Sequence, residues 1–339
     1  MNEETLIRQA IEEEASQAVD PGTVLAGLRD TQPRRRTGML MAVAGTAVAA
    51  AVVAVVVPLT ASRDEQPAPA ANSSAAPVPA AEENILLVGT DDHGAPYTDT
   101  MILIHRGPGG SFRAVSLPRD TFVEIPGFGH HKLNSAYVRG TMNNGGTEGG
   151  TKALVGAVEQ LTGARVDHYA FIDTPDLPKV VNALGGVEVC LRNKVKDTYA
   201  GVDLPAGKQV INGEQALGYL RQRHGLPNGD LDRIARAQAF LTSLLAKVAG
   251  RTDLSKAVEL VQSAVRVDPN WDVLRFANGL AGATLTTATI PYQNVALKTP
   301  ADGDAIGVDP AAVKKFVTDF FAQRPGTAQP GAPGDGCVN

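Results

Sequence analysis

The 339-residue sequence predicts an α/β domain, a mixed central sheet flanked by helices, behind one N-terminal transmembrane helix. Three observations lead there. From residue 84 onward, short apolar β-rich runs bounded by Gly, Pro and Asp alternate with stretches of helical periodicity, the pattern of a layered α/β domain. The early strands are joined by connections too short for parallel crossovers, so the sheet is mixed. Residues 38–59 form an uncharged run of 22, roughly 33 Å long as a helix and enough to cross a bilayer core.

In chain order, residues 1–37 read as a charged cytoplasmic tail, with Leu6, Ile7, Ala10 and Ile11 at helical spacing until Pro21 and Gly22 break the pattern. Arg34, Arg35 and Arg36 directly precede the apolar run and only Arg63 lies close behind it. That asymmetry places the N-terminus in the cytoplasm and the rest outside the plasma membrane, with a single pass. A buried soluble helix is rarely so long and uncharged, and a signal peptide has a shorter apolar region, although the following PLTAS resembles a weak cleavage site. Residues 60–83, rich in Ala, Pro and Ser, lack the side chains to fold and read as a spacer.

The domain then runs from 84 to 323. Strands are expected at 85–88, 101–104, 114–117, 168–172, 187–191 and 284–290, and helices at 151–163, 175–184, 212–219, 230–249, 254–265, 273–280 and 310–321. Gly163 and the pair Gly185–Gly186 are helix stops, and Asn212 is a helix cap. The longest helix, 230–249, carries Leu241, Leu244, Leu245 and Val248 on its apolar side. Residues 324–339 read as loop.

Composition excludes several functions. A net charge of −5 gives no reason to expect a nucleic-acid partner. There is no C-x-x-C and no Cys/His cluster for zinc. His130 and His131, adjacent in a Gly-rich stretch, are poorly placed to share a metal. The signatures G-x-S-x-G, H-E-x-x-H, G-x-x-x-x-G-K-[ST] and a post-strand G-x-G-x-x-G are absent. Cys190 and Cys337 are able to pair in an oxidising compartment and would be unrelated thiols in cytoplasm.

The polar turns between the first strands carry the chemistry. Asp91 and Asp92 follow the first run, Asp99 precedes the second, and Arg119 and Asp120 follow the third. Singly, each Asp is ordinary turn chemistry; together, three adjacent strand ends are able to aim carboxylates and a guanidinium at one spot. Arg221, Arg223, Arg233 and Arg236 fall within 16 positions. Arg is the planar, permanently charged donor suited to phosphate oxygens. Arg233 and Arg236 are helical neighbours, whereas Arg221 and Arg223 share a face only on extended chain. The segment alone equally suits a solvated basic face paired with Asp230 and Asp232. Carboxylates that hold a hard cation such as Mg²⁺, or Mn²⁺, beside arginines make a pyrophosphate site.

The series NILLVGTD, TDTM, SLPRDT, KLNSAY, QLTGARVDHY, NALGGVEV, NGEQALGYLRQRH and GDLDRIAR, spread in order over residues 84–238, resembles the LytR-CpsA-Psr family. The resemblance implies an envelope phosphotransferase that moves a glycopolymer from a polyprenyl-pyrophosphate carrier to peptidoglycan, with pyrophosphatase activity in some members. It implies a lipid pocket between sheet and helices, Asp91 and Asp99 as metal ligands, and Arg119, Lys132, Arg221, Arg223, Arg233 and Gln238 on the pyrophosphate. It also implies Asp99, Arg119 and Asp120 as the catalytic group, with Asp99 or Asp120 expected to accept the proton of the attacking sugar hydroxyl. Three positions depart from the pattern. His93 replaces an arginine, Pro96-Tyr97-Thr98 lacks another, and Ala237 stands where a glutamine is usual, with Gln238 one step along. Those losses motivate two rivals: a non-catalytic lipid-binding or regulatory envelope protein, and a polyprenyl-pyrophosphate phosphohydrolase.

Overall fold

The computed structural model describes residues 82–91, 97–250, 264–280, 282–323 and 336–339, all within the compact unit Ser73–Asn339. The N-terminal tail, the span expected at 38–59 and the spacer up to 81 lie outside the described residues, as does most of the helix expected at 254–265. Among the described residues no helix is long and apolar enough to cross a membrane.

The chain begins with β1 (Glu83–Thr90), β2 (Thr98–Arg106), β3 (Ser111–Ser116), β4 (Phe122–Ile125) and β5 (Gly129–Lys132). Helices α1 (Ala136–Gly140) and α2 (Gly146–Thr162) lead to β6 (His168–Asp173), α3 (Leu177–Ala183) and β7 (Val187–Leu191). Then come β8 (Val195–Asp197), β9 (Val202–Leu204), β10 (Gly207–Ile211), α4 (Gly213–Arg221) and α5 (Asp230–Ala249). The last elements are β11 (Val265–Val267), α6 (Val273–Asn278), β12 (Thr284–Thr289), β13 (Asn294–Thr299), β14 (Gly303–Gly307) and α7 (Pro310–Ala322). Val265, expected to end a helix, opens β11 instead.

The central sheet has the order β11-β6-β1-β2-β3-β12. β1 is antiparallel to β2 and parallel to β6, and β3 is antiparallel to β2 and parallel to β12. The sheet is therefore mixed, as the short connections required. The other strands form two-stranded ribbons.

Alternation along a strand sends successive side chains to opposite faces. Met101 and Leu103 of β2 join Leu154, Val158 and Leu161 of α2 and Val313, Val317 and Phe320 of α7 in one core. Ile102 and Ile104 point the other way, toward Leu241 and Leu245 of α5 and Phe276 of α6. The result is three layers, helix–sheet–helix. A second, smaller core joins β7, β8 and β9 to α4 and α5 through Val189, Leu191, Val195, Val202, Tyr219 and Phe240.

The C-terminal tail is not a plain loop. Cys337 is disulfide-bonded to Cys190 of β7. Val338 forms a parallel bridge with Leu191, and Val338 N–H donates to the Cys190 carbonyl at 3.0 Å. Arg236, fully buried, donates from Nε to the Asn339 carbonyl and from Nη1 to the Tyr219 carbonyl. The last of the four clustered arginines therefore anchors the tail and does not reach the solvent edge.

Candidate functional site

Antiparallel pairing puts the end of β1 beside the start of β2, with Thr90 opposite Thr98. The chain leaving β3 returns to the same place, where Leu117 N–H donates to the Met101 carbonyl. Asp91, Asp99, Arg119 and Asp120 thus share one edge of the sheet. Lys132, at the end of β5, joins them by a 3.1 Å ion pair to Asp120.

The cations arrive from the helical layer. Helix α4 starts at a full capping box, in which Asn212 Oδ1 accepts from Gln215 N–H and Gln215 Oε1 from Asn212 N–H. It ends at Arg221 because Gln222 is extended, with ψ 133°. That break lets Arg221 and Arg223 reach the same edge. Arg221 Nη2 lies 3.1 Å from Asp91 Oδ1, and Arg223 Nη2 3.9 Å from Asp99 Oδ2. Helix α5 then begins at the site, with Arg233 Nη1 2.5 Å from Asp230 Oδ1.

Arg119 is the hub. Its Nη1 lies 2.5 Å from Asp99, and its Nε is 3.6 Å from both Asp120 and Asp230. Burial works against the charge on Arg119, but Asp230, Asp99 and Asp120 outweigh it and raise its pKa. For Arg233 burial prevails and the pKa is lowered. Both stay cationic at physiological pH, since a guanidinium is in effect always protonated. The Nε atoms of Arg119 and Arg233 are buried without a hydrogen-bond partner. A buried donor left without a close acceptor costs roughly 1–3 kcal/mol, so the two guanidinium groups are held here by the surrounding carboxylates at some cost in hydrogen bonding. The N-terminus of the 20-residue helix α5 adds its positive dipole end at the same edge.

An apolar channel of about 330 Å³ opens beside these charges. It runs between the sheet and helices α3, α5 and α6, along Leu87, Ile102, Leu241, Leu245 and Phe276. Asp99, Arg221 and Arg233 stand in its wall, and Asp99, Arg119, Asp230 and Arg233 line a smaller cleft next to it. A charged mouth on a greasy channel fits a ligand with a polar head and a hydrocarbon tail.

One sequence expectation is corrected. Gln238 is not at the mouth. It is buried, and its Nε2 donates to Ser116 Oγ, the Ala288 carbonyl and Thr289 Oγ1 at 2.9–3.1 Å, which ties α5 to β3 and β12. One residue along a helix is a turn of about 100°, so Ala237 lines the mouth and Gln238 faces the sheet. Asp232 accepts from Asn228 N–H and Nδ2, which holds the turn before α5, and its charge also favours the cationic form of Arg236. Asp92, His93 and Pro96 lie outside the described residues. His131, in β5, pairs with Asp302 Oδ2 at 2.8 Å.

Sequence reasoning missed Asp197. Its carboxylate, almost fully enclosed, accepts from the backbone N–H groups of Tyr199, Ala200, Arg223 and His224 at 2.9–3.4 Å. Burial alone would raise its pKa, but the backbone donors Ala200, His224, Arg223 and Tyr199 hold it down at about 2. It fixes the strand-like exit of α4 that presents Arg221 and Arg223. The Lys-Asp-Thr-Tyr turn that contains it reads as ordinary loop, so no local signal marks it.

The LytR_cpsA_psr family model matches residues 56–306, which is most of the chain. The chain belongs to the LytR-CpsA-Psr family. It is similar to the cell wall biosynthesis protein LcpA of Corynebacterium glutamicum, 35% identical over 75% of this chain and 54% of LcpA. It is similar also to the polyisoprenyl-teichoic acid–peptidoglycan teichoic acid transferase TagU of Enterococcus faecalis, 33% identical over 57% of this chain and 63% of TagU. The chain thus spans about half the length of LcpA and less than two thirds of TagU. The solved LytR-Csp2A-Psr enzyme from Actinomyces oris has the same fold, with a TM-score of 0.57 and 19% identity over 70% of this chain and 89% of that one. In this LytR-CpsA-Psr chain the fold brings five cations and four carboxylates to one edge among the described residues.

Proposed function

We propose that this protein is a membrane-anchored phosphotransferase that moves a glycopolymer from a polyprenyl-pyrophosphate carrier onto peptidoglycan, outside the plasma membrane. One observation carries the proposal: the apolar channel and the arginine–carboxylate edge share Asp99, Arg221 and Arg233. The prenyl chain occupies the channel and leaves its pyrophosphate at the mouth. Arg119 and Arg233, which line the cleft beside the channel, offer it their guanidinium charge, and Arg221, Arg223 and Lys132 supply further charge. TagU, a relative, is named for this kind of transfer.

Among the described residues no group of three or more His, Cys, Asp or Glu side chains is placed to hold a metal. The two carboxylates Asp91 and Asp99 still fit Mg²⁺ or Mn²⁺, because Mg²⁺ is commonly held by one or two carboxylates plus substrate phosphates. When bound there, the cation neutralises charge on the phosphate oxygens. In the transfer, a hydroxyl of the acceptor glycan attacks the phosphorus that carries the polymer. The bond from that phosphorus to the bridging oxygen breaks, and prenyl phosphate leaves. The proton passes to Asp99 or Asp120, the carboxylates that grip Arg119. Arg119 stabilises the charge that grows on the phosphoryl oxygens.

The test uses the purified protein with Mg²⁺ and a prenyl-pyrophosphoryl glycan. Arg119→Ala and Arg221→Ala are expected to slow release of prenyl phosphate by about 10²–10³-fold. Release as fast as the parent from both variants ends the proposal. Product analysis with a peptidoglycan acceptor separates transfer from plain hydrolysis, and tight lipid binding without turnover would mark a carrier.

A further inference from the structure

The turn between β8 and β9 projects Tyr199 into solvent, 88% exposed. Its ring lies against the imidazole of His224, with centroids 4.9 Å apart and planes inclined by 40°. His224 is itself largely exposed and directly follows Arg223. A bare tyrosine normally gains nothing from holding one position in water. Here the fold spends a buried carboxylate on it. Asp197 accepts from the N–H groups of Tyr199 and Ala200 on one oxygen and from those of Arg223 and His224 on the other, and His224 Nδ1 lies 3.3 Å from the second oxygen. One side chain therefore sets the aromatic pair and a pyrophosphate arginine in fixed relation. A second device holds the turn down. Gly218 of α4 leaves no space for a side chain, since a Cβ there would meet the Ala200 carbonyl oxygen at 2.9 Å. The hairpin is seated directly on the helix that ends at Arg221.

Resting on the phosphotransferase reading, we infer that Tyr199 and His224 form a platform for a sugar ring next to the pyrophosphate. An aromatic ring with a polar tip suits a pyranose, which has one C–H face to stack and hydroxyls at its rim. Tyrosine supplies that contact area at a low entropic cost because few torsions must be fixed. The ring comes from one of two sources with the same chemistry: the first sugar of the donor polymer, which is bonded to the pyrophosphate, or the sugar of the acceptor glycan.

The experiment measures binding by the full chain in detergent to three probes. They are a short prenyl-pyrophosphoryl N-acetylglucosamine, the same prenyl pyrophosphate without the sugar, and a soluble peptidoglycan oligosaccharide. The expected result is that the parent prefers the sugared lipid over the bare one, or binds the oligosaccharide, and that Tyr199→Ala reduces that sugar-dependent part by about five- to tenfold. Tyr199→Phe, which keeps the ring, retains it. His224→Ala, a second variant at an exposed position, lowers it in the same direction. Loss in the lipid comparison assigns the platform to the donor, and loss with the oligosaccharide assigns it to the acceptor. The inference is overturned if Tyr199→Ala keeps the parent's sugar preference and oligosaccharide affinity, if it weakens bare and sugared lipid equally, or if the parent has neither property. A parent that binds no lipid pyrophosphate sinks the phosphotransferase reading, while the oligosaccharide arm still decides the platform.

Discussion

The two faces of the central sheet have similar sequences and opposite fates. On one face Leu86, Val88, Met101 and Leu103 meet the side chains of α2 and α7, and the space is filled. On the other, Leu87 and Ile102 look across to α5 and α6 and border a channel of about 330 Å³. Both faces are aliphatic, so polarity does not separate them. What differs is how the covering helices close. Helix α2 packs close beside α1, where Gly140 and Gly149 leave no space for a Cβ. Helix α5 presents leucines to open space, and its first turn is held at the sheet edge by the ion pairs around Asp230. Stability is concentrated on the filled face and binding capacity on the open one.

The largest expected effect tests that division directly. Leu103 is fully buried on the packed face. Leu103→Ala is expected to cost about 2–5 kcal/mol, the range for buried leucines. Leu245 borders the channel and is only partly buried. Leu245→Ala removes contacts already incomplete, so its cost should stay below about 1.5 kcal/mol while prenyl-pyrophosphate affinity falls. Urea unfolding of both variants, with lipid binding measured alongside, checks the contrast. Equal destabilisation would mean that the channel closes in solution.

The same contrast explains how much could be read from sequence. β1, β2 and β3 stood out because their apolar runs are bounded by turn residues, and α5 because its apolar stripe is long. The ribbons β4–β5, β8–β9 and β13–β14 carry no such signal. They are three to six residues long and partly polar, and the partner strand, not the residue pattern, makes them strands. Asp91, Asp99, Arg119, Lys132, Arg221, Arg223 and Arg233 do gather at one edge, which the family resemblance supplied and strand ends alone did not. From sequence, Asp230 reads only as a surface partner of the arginines. It pairs with Arg233 and also lies near Arg119, so the basic face and the site are the same place. Arg236 and Gln238 were out of reach because a helix turns them away from their neighbours toward contacts distant in sequence.

A middle-sized effect separates the mouth from the packed face. Asp197 has a pKa of about 2 in the folded chain against 3.8 for a free aspartate. A depressed carboxylate contributes stability that is fully present above the unfolded value and lost as pH falls through the folded one. Asp197→Asn is expected to cost about 1–3 kcal/mol near neutrality, from four weakened backbone hydrogen bonds. Its deficit relative to the parent should stay constant down to about pH 5, shrink below about pH 4 and disappear only below about pH 2. Denaturant titrations at stepped pH measure it. A deficit that does not change with pH would mean that Asp197 acts through shape and not through charge.

The smallest effect concerns Ala237, where the family resemblance leads one to expect glutamine. Ala237 lines both the cleft and the channel mouth, so a longer side chain there points at the head group and not into packed core. Ala237→Gln is expected to change stability by no more than about 0.5 kcal/mol, as for most substitutions away from filled space. One added neutral hydrogen bond is worth about 0.5–1.5 kcal/mol, which corresponds to a two- to tenfold lower KM for the lipid pyrophosphate, with kcat little changed. A higher KM carries the opposite lesson. It would show that the mouth needs the room that alanine leaves, and that this chain has traded a phosphate contact for a bulkier head group.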